Sequence, residues 1–421
     1  MLLTCSVAMC IMVLQVGCSH GLRLAREHEV GDGAIRARVV ASIRSSGGSG
    51  VNFVFSGEQD ELRKSVRRFL DDKSSEIEVR RLMDTVDGYE PAVWKQLTEQ
   101  MGLVGLAIPE KYGGSGFSYV ELIVVFEEMG RALLCAPYFS TVALAANLLL
   151  ASGDESAKAD YLPALASGEK IGTVALAEAT GRWDEAGVSM AATRSDNGWL
   201  LDGEKSFVTD GHLADVVLVA ARTNAGVSIF AVDKGAIGFA ATPLATLDQT
   251  RKQAKLSFAN TPARLIGSDG GGWTALAKML DLAAVALAAE QVGGAQQVLD
   301  VTVQYAKDRE QFGQPIGSFQ AIKHKCADML LEVESARSAA YYAGWVAADD
   351  DDELPVVASL AKAYCSEAYF HAAAESIQIH GGIGFTWEHP AHLYFKRAKS
   401  SELLFGDASY HRELLAQRIG I

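Results

Sequence analysis

The residues that could do chemistry lie mostly in two motifs of the C-terminal third of the chain. One reads YAKDREQFGQPIGSFQ and holds Arg309 and Phe312; the other reads ESIQIHGGIGFTWEHPAHLYFKRAK and holds Gln378, Gly381 and Gly382. An arginine forms charge-assisted hydrogen bonds with phosphate. Glycine has no side chain, so a ligand can approach its backbone closely. Together these residue types are suited to a phosphate-bearing ligand.

Histidines are frequent in the same region. His389 and His392 form an H-x-x-H pair, with His371, His380 and His411 nearby in sequence. Two of them at helical spacing could bind a metal ion. Nothing else in the chemistry suggested by the sequence needs a metal, so we predict structural or surface roles and no metal site.

Composition excludes several classes of protein. The 421 residues carry a formal net charge of −14, which argues against a nucleic-acid partner. Beyond the first 50 residues, the widely spaced Cys135, Cys326 and Cys365 suit neither a disulfide scaffold nor a zinc site, and they fit a reducing cytoplasm. No apolar run beyond that point reaches the ~20 uncharged residues of a membrane span. We therefore expect a cytoplasmic protein that does not span a membrane.

Residues 1–50 differ from the rest. The opening MLLTCSVAMCIMVLQVGC is apolar but has no Lys or Arg before its apolar run, as a secretory leader normally would. We favour a mis-assigned start, with the true chain beginning near Val51; a leader is the alternative.

The elements needed to position the two motifs follow in three blocks. Helical periodicity dominates residues 51–168, and short Val-, Thr- and Phe-rich strands fill 169–268. Within the second block, Asn197-Gly198 and Asp202-Gly203 are typical of hairpin turns. Long Ala-rich helices return over 269–421. The predicted fold is α+β and mainly α: a helical domain, an antiparallel β domain and a C-terminal four-helix bundle.

Two signals delimit one helix of the bundle. Pro355 suits the first turn of a helix, which tolerates the missing N–H. Gly381-Gly382 suits its end, because a glycine commonly caps a helix C-terminus.

This order of blocks, with the two motifs, resembles the acyl-CoA dehydrogenase family over residues 52–421. The first motif carries the family's R-x-x-F-G pattern and the second its Q-x-x-G-G-x-G-F pattern. The tail SSELLFGDASYHR (400–412) and the segment APYFST (136–141) are similar to a bacterial branch that includes subunits of heteromeric steroid side-chain dehydrogenases.

The resemblance implies a homo- or hetero-oligomer that binds FAD at a subunit interface and oxidises an acyl-CoA thioester. A carboxylate would remove the α proton while the flavin takes the β hydride, and electron-transferring flavoprotein would accept the electrons. By this resemblance Arg309 reaches the FAD pyrophosphate across the interface, Phe312 packs near the adenine, and Gln378, Gly381 and Gly382 lie at the adenosine end.

The segment KSFVTDG (205–211) is similar to the family's K-x-W-I-T-N-G. Thr209 then takes the place of the hydroxyl that bonds the flavin, and Phe207 replaces the Trp beside the flavin ring. In VALAEATGRWDEAG (174–187), however, the family's flavin-contacting Thr becomes Ala177 and its Ser becomes Trp183. Two hydroxyl contacts to the flavin are therefore lost.

Both usual positions of the base lack a carboxylate. The position before Gly406 is Phe405, and the position on the first helix of the bundle is Ala283, whose neighbouring Arg becomes Ala284. Three carboxylates lie nearby in sequence: Asp407 in the loop after Gly406, and Asp281 and Glu290 on the helix that holds Ala283. Asp281 and Glu290 lie two and seven residues from Ala283, so neither is a clear substitute at the same site. Asp407 is the candidate base, with a helix-cap role as its alternative.

Three interpretations remain open. The first is the subunit of a heteromeric acyl-CoA dehydrogenase that lacks the Glu base, and the losses on its own flavin face favour it. The second is a self-sufficient dehydrogenase with an atypical base such as Asp407. The third is a protein that binds FAD or acyl-CoA without redox turnover.

Overall fold

A computed structural model describes residues 55–196 and 198–421. The predictions about residues 1–50, and about Asn197 in the first hairpin turn, lie outside the described residues. Secondary structure follows the three predicted blocks in order.

The first block is helical. Its helices are α1 (Gly57–Lys73), α2 (Glu76–Met83), α3 (Pro91–Lys95), α4 (Tyr119–Arg131), α5 (Asn147–Ala151) and α6 (Glu155–Ala166), with π-helical turns at Gln96–Gln100 and Phe139–Ala146. Helix α4 begins at a capping box: the Ser118 hydroxyl accepts a hydrogen bond from the Val120 N–H, and the Glu121 carboxylate accepts one from the Ser118 N–H. Nearly all of α4 is buried, so this helix forms the centre of the block.

The second block is a seven-stranded sheet. Its strands are β1 (Gly172–Ala175), β2 (Ala191–Ser195), β3 (Gly198–Thr209), β4 (Val216–Arg222), β5 (Val227–Asp233), β6 (Phe239–Pro243) and β7 (Gln253–Ile266). Most neighbours are antiparallel, as predicted, but β1 runs parallel to β4. Gly198 pairs with Ser195 across the first predicted hairpin.

The second predicted hairpin turn is wrong. Asp202 and Gly203 lie within β3, where the register against β7 shifts between Leu201 and Gly203. An isolated glycine in a strand often marks such a bulge rather than a turn.

The third block is helical again. Its elements are α7 (Gly272–Asp308), a small ribbon of β8 (Glu310–Gln311) and β9 (Gln314–Pro315), α8 (Gln320–Ala348), α9 (Leu354–His380), α10 (Ala391–Leu403) and α11 (Ala408–Ile419). Pro355 stands in the first turn of α9, and Gly381, at φ +63°, caps its end, so both helix signals are confirmed. The predicted fold class is confirmed too.

Helices α4 and α7 approach backbone to backbone. A Cβ added at Gly130 would lie 1.9 Å from the Glu290 carbonyl oxygen, and one added at Gly293 would lie 1.8 Å from the Glu127 carbonyl oxygen. Only glycine permits this spacing. Helix α7 has the length and apolar composition of a membrane span, but 67 % of its most apolar stretch is buried, which is the pattern of a core helix. The residues Gly57–Ile421 form one compact unit.

Candidate active site

Phe405 occupies the loop between α10 and α11. Its backbone is left-handed, at φ +62°, which is uncommon for a residue with a bulky side chain. The buried ring stacks on Phe139, with 6.0 Å between centroids and 17° between planes. It also meets the indole of Trp183 edge to face, at 5.2 Å and 73°. Aromatic side chains therefore fill the space around the position where the resemblance places a base.

The loop is held by a buried ammonium group on α9. Lys362 Nζ donates hydrogen bonds to the Ser366 hydroxyl, the Glu402 carbonyl and the Gly406 carbonyl, each at 3.0 Å. These three acceptors match the three donors of a lysine. Burial lowers the pKa of Lys362 to about 7.

His411 holds the middle of the same loop. Its Nε2 lies 3.2 Å from the Phe405 carbonyl oxygen, which can only accept, so Nε2 carries the proton. Burial lowers the pKa of His411 to about 3, and the ring is therefore neutral. The backbone on both sides of Phe405 is fixed from outside the loop.

Asp407 caps α11. Its Oδ1 accepts a hydrogen bond from the Tyr410 N–H at 2.8 Å, the geometry of an N-cap. This is the helix-cap alternative that the sequence offered for the candidate base.

A cavity of about 370 Å³ lies beside Phe405. Its walls come from the loop at residues 183–186, from α7 and from α11. Asp281 lines it, at 2.8 Å from Arg418, and burial raises the pKa of Asp281. Sequence reasoning set Asp281 aside because it lies two residues from Ala283, but Asp281 and Phe405 line the same cavity.

Glu290 lies elsewhere, in a buried ionic cluster. Its carboxylate accepts hydrogen bonds from Arg251 and, at 2.9 Å, from Arg397. Arg397 also donates to Asp248 at 2.8 Å. Arg251 lies 4.8 Å from the centre of the Phe139 ring. The Glu290 carboxylate is thus paired with two guanidinium groups.

Asp210 is a further buried carboxylate near this cluster. It directly follows Thr209, and its Oδ2 accepts a hydrogen bond from the Ser140 hydroxyl at 2.7 Å. Burial raises the pKa of Asp210 to about 6, while the positive charges of Arg251 and Arg397 oppose the rise. The segment KSFVTDG therefore contains a buried carboxylate, Asp210, directly after Thr209.

The predicted flavin face lies on the β sheet. Phe207 is 48 % exposed and has a left-handed backbone, φ +55°, whereas Thr209 is buried. The Ser206 N–H donates to the Ala177 carbonyl at 2.8 Å, which joins the two predicted flavin-contacting segments. The structure therefore places Ala177 next to the end of β3 that carries Phe207.

The predicted phosphate-binding residues lie together at one end of the bundle. The Tyr305 and His380 rings, 4.3 Å apart, bring the ends of α7 and α9 into contact. At or just beyond these ends lie four exposed or partly exposed groups, of which Gln378 is in the last turn of α9; in sequence order they are Arg309, Phe312, Gln378 and Gly381-Gly382. Phe312 is 92 % exposed. A Cβ added at either glycine would meet nothing within 4 Å, so the backbone there is open to a ligand.

Comparison with known proteins decides the family. Family models for the N-terminal, middle and C-terminal domains of acyl-CoA dehydrogenase match residues 56–169, 173–261 and 270–420. The chain belongs to the acyl-CoA dehydrogenase family.

Individual relatives are similar over most of their length. The acyl-CoA dehydrogenase IpdE2 of Mycolicibacterium smegmatis is 37 % identical over 353 residues, which cover 83 % of this chain and 95 % of IpdE2. The ChsE4–ChsE5 complex of Mycobacterium tuberculosis contains a chain that is 29 % identical, with a TM-score of 0.80 over 88 % of this chain and 99 % of that one. A variant of the Tcur3481–Tcur3483 steroid ACAD gives 31 % identity and a TM-score of 0.78, over 86 % and 97 %.

The acyl-CoA dehydrogenase family implies FAD, and the two predicted FAD regions fit it differently. At the bundle end, the exposed Arg309 and Phe312 beside open glycine backbone suit a pyrophosphate and an adenine. On the sheet, Ala177 and Trp183 supply no hydroxyl, and Trp183 is packed against Phe405. No hydrogen bond or ion pair joins the two regions within residues 55–196 and 198–421. The bundle end thus fits FAD better than the chain's own sheet does.

Several of the histidines pack against other rings. The centroids of the His380 and His389 rings lie 4.3 Å apart with the planes tilted by 49°, and His392 packs edge to face on Trp387. Among the described residues, no group of three or more His, Cys, Asp or Glu side chains could hold a metal ion.

Proposed function

We propose that this chain is the subunit of a heteromeric acyl-CoA dehydrogenase that lacks the base. The observation that carries the proposal is the contact between Trp183 and Phe405. An indole stands at the family's Ser position, a phenyl ring stands at the family's base position, and the two rings pack together. The side chains that would serve a flavin and remove a proton are thus replaced by one apolar contact.

The outward-facing end of the bundle supports the same function. Arg309 and Phe312 are exposed at the end of α7, where a second chain can share them. The similarity to chains of the ChsE4–ChsE5 and Tcur3481–Tcur3483 proteins is consistent with a hetero-oligomer. A related dehydrogenase chain as partner, a cytoplasmic location and electron-transferring flavoprotein as acceptor complete the proposal.

In the assembled enzyme FAD would supply the redox chemistry, and this chain would supply binding and orientation. The Arg309 guanidinium would donate to the pyrophosphate, and the Phe312 ring would pack at the adenine. The backbone at Gln378, Gly381 and Gly382 would lie at the adenosine end. The partner chain would contribute the flavin-facing hydroxyls and the carboxylate that accepts the α proton of the acyl thioester.

The visible absorption spectrum tests this function. Residues 51–421 are purified after expression alone and after co-expression with a related dehydrogenase chain from the neighbouring gene. The chain alone should be colourless, and the co-expressed complex should be yellow and should bleach with an acyl-CoA. A chain that alone holds flavin and bleaches would overturn the proposal. A yellow complex that no acyl-CoA bleaches would favour the non-redox interpretation.

One observation favours the self-sufficient alternative: the Asp281 carboxylate lines the cavity beside Phe405, and burial raises its pKa. Asp281→Asn and Asp407→Asn in the complex separate the two functions. Under the proposal both variants keep bleaching, because the base is in the partner. If one of them abolishes bleaching while the complex stays assembled and yellow, that residue is the base.

A further inference from the structure

A small cavity of about 20 Å³ lies beside the buried ionic cluster. One water-sized occupant needs about 10–15 Å³, so the cavity has room for one such occupant and for no polyatomic group. Its walls come from all three blocks of the chain: Tyr138 and Phe139 from the first, Asp210 and Arg251 from the second, and Glu290 from the third. The folded chain thus forms this site by itself.

Arg251, which lines the cavity, has a buried guanidinium nitrogen without a partner. Its side chain is 6 % exposed, and its Nη2 donates hydrogen bonds to both carboxylate oxygens of Glu290. Among residues 55–196 and 198–421, no hydrogen-bond partner is found for its buried Nη1. A buried charged donor without an acceptor costs free energy. The cavity is therefore suited to an occupant that accepts a hydrogen bond.

The charges around the cavity balance only when every carboxylate is ionised. The cluster holds three cationic and three anionic side chains, which are, in sequence order, Asp210, Asp248, Arg251, Lys252, Glu290 and Arg397. Asp248 and Glu290 are each ion-paired with a guanidinium group. Within the part of the chain that the structure describes, Asp210 has no such ion pair at 4.0 Å or less. If Asp210 takes up a proton, one positive charge of the cluster is left without compensation.

Asp210 is the carboxylate that can take up this proton. Burial raises its pKa to about 6, against the opposing charges of Arg251 and Arg397. A protonated carboxyl group also gains an O–H donor. The groups that face Asp210 come from every element packed around it and are, in sequence order, Cys135, Ser140, Arg251, Lys252, Glu290 and Arg397.

A monatomic anion meets each of these conditions. It fits the volume, it accepts a hydrogen bond, and its single negative charge replaces the one that Asp210 loses on protonation. A water molecule also fits the volume and accepts a hydrogen bond, but it supplies no charge to a buried cluster in which an uncompensated charge is costly.

We propose that this cavity is a site for one halide ion such as chloride, which accepts a hydrogen bond from Arg251 Nη1 and enters together with one proton that binds to the Asp210 carboxylate. The site needs neither flavin, acyl-CoA nor a partner chain. It is therefore independent of the proposed function.

Diffraction from crystals of the native chain locates the ion. Crystals soaked in sodium bromide at pH 5 and measured at the bromine absorption edge should show one anomalous peak in contact with Arg251 Nη1. A soak in sodium sulfate at the same ionic strength should show no anion there, because sulfate is too large for the cavity. A water molecule in the cavity without a bromine signal, or a bromine signal only elsewhere, would overturn the proposal.

Line broadening of the chloride NMR signal measures the affinity in solution. The native chain should bind chloride about tenfold more tightly, or better, at pH 5 than at pH 8, because protonation of Asp210 removes a negative charge beside the ion. Asp210→Asn is uncharged at both pH values, so it should bind chloride tightly at both. Asp202→Asn, at an exposed carboxylate of β3, is the matched control and should keep the pH dependence of the native chain.

Equal affinity of the native chain at the two pH values would contradict the coupling to a proton. So would an Asp210→Asn chain that binds chloride no more tightly than the native chain at pH 8. If Asp210→Asn loses its thermal transition, the pH dependence of the native chain and the bromine map decide the question without it.

Discussion

The indole of Trp183 and the phenyl ring of Phe405 meet edge to face with 5.2 Å between their centroids, although the two residues belong to different blocks of the chain. In the proposed function each ring stands where the family pattern has a polar side chain, a hydroxyl at Trp183 and a carboxylate at Phe405. The contact joins the middle block of the chain to the C-terminal block.

We predict that this pair is energetically coupled. Phe405→Ala should lower the free energy of unfolding by about 3 kcal/mol, because it empties a buried site. The double variant with Trp183→Ala should lose about 1 kcal/mol less than the sum of the single variants, which is the value of an edge-to-face contact. Urea titration of the four proteins measures this. Trp199→Ala, whose ring packs on Phe230 instead, should be additive with Phe405→Ala. If the loss of stability from Phe405→Ala is additive with that from Trp183→Ala as well as with that from Trp199→Ala, then Trp183 and Phe405 are not coupled.

Lys362 should make stability depend on pH. Its pKa of about 7 in the folded chain lies below the unfolded value of 10.5, so the unfolded chain holds more protons between these values. The contribution of Lys362 to the free energy of unfolding therefore rises with pH between about pH 7 and pH 10.5. Above pH 10.5 the lysine is uncharged in both states, so the penalty for burying its charge is gone. Between pH 7 and pH 9 the gain should be about 2 kcal/mol.

Urea unfolding of the native chain and of Lys362→Met at both pH values isolates the gain, because other titrating groups are common to the two proteins. The native chain should gain more than the variant. Equal gains would show that Lys362 is not the titrating group.

Asp210 should act in the opposite direction. Its pKa of about 6 in the folded chain lies above the unfolded value of 3.8, so the folded chain holds more protons between these values. Stability due to Asp210 falls as pH rises through this window and stays reduced above it. Asp210→Asn, which keeps an acceptor for the Ser140 hydroxyl, should therefore stabilise the chain by about 3 kcal/mol at pH 7.5 and by only about 0.5 kcal/mol at pH 4. Thermal unfolding of the native chain and of Asp210→Asn at the two pH values measures this stabilisation. If the variant is stabilised equally at both pH values, the stabilisation does not come from the titration of Asp210.

Arg309 should matter for flavin and not for folding. It is exposed at the end of α7, so Arg309→Gln should change the free energy of unfolding by less than about 0.5 kcal/mol. In the complex with the partner chain it should reduce the flavin content, because a charge-assisted contact with pyrophosphate is lost. Lys307→Gln, at an exposed lysine in the last turn of the same helix, is the matched control and should retain full flavin. Equal flavin in both variants would remove Arg309 from the FAD site.

The order of the blocks could be predicted from sequence because helical and strand periodicities are local. The helix start at Pro355 and the helix end at Gly381 could also be predicted, because each depends on the backbone conformation of that residue itself. Asp202-Gly203 did not, because the pairing of β3 with β7 overrides the preference of the dipeptide for a turn.

The site was less accessible to sequence reasoning. The two-residue spacing between Asp281 and Ala283 on α7 argued against Asp281 as the base. In the structure Asp281 and Phe405 line the same cavity, together with α11 and the loop at residues 183–186. The ionic cluster of Arg251, Glu290 and Arg397 was not predicted either, since its members lie on different elements. Contacts between distant segments carry no short-range sequence signal.

The backbone at Phe405 is held from outside by Lys362 and His411, at carbonyl groups that every amino acid possesses. The hydrogen bonds that hold this loop therefore do not involve the side chain that it presents. Over evolutionary time such a position can exchange a carboxylate for a ring, or a ring for a carboxylate, by point substitution and without rebuilding the scaffold. A gene duplicate with this architecture can abandon an old role and still fold, assemble and be selected for another.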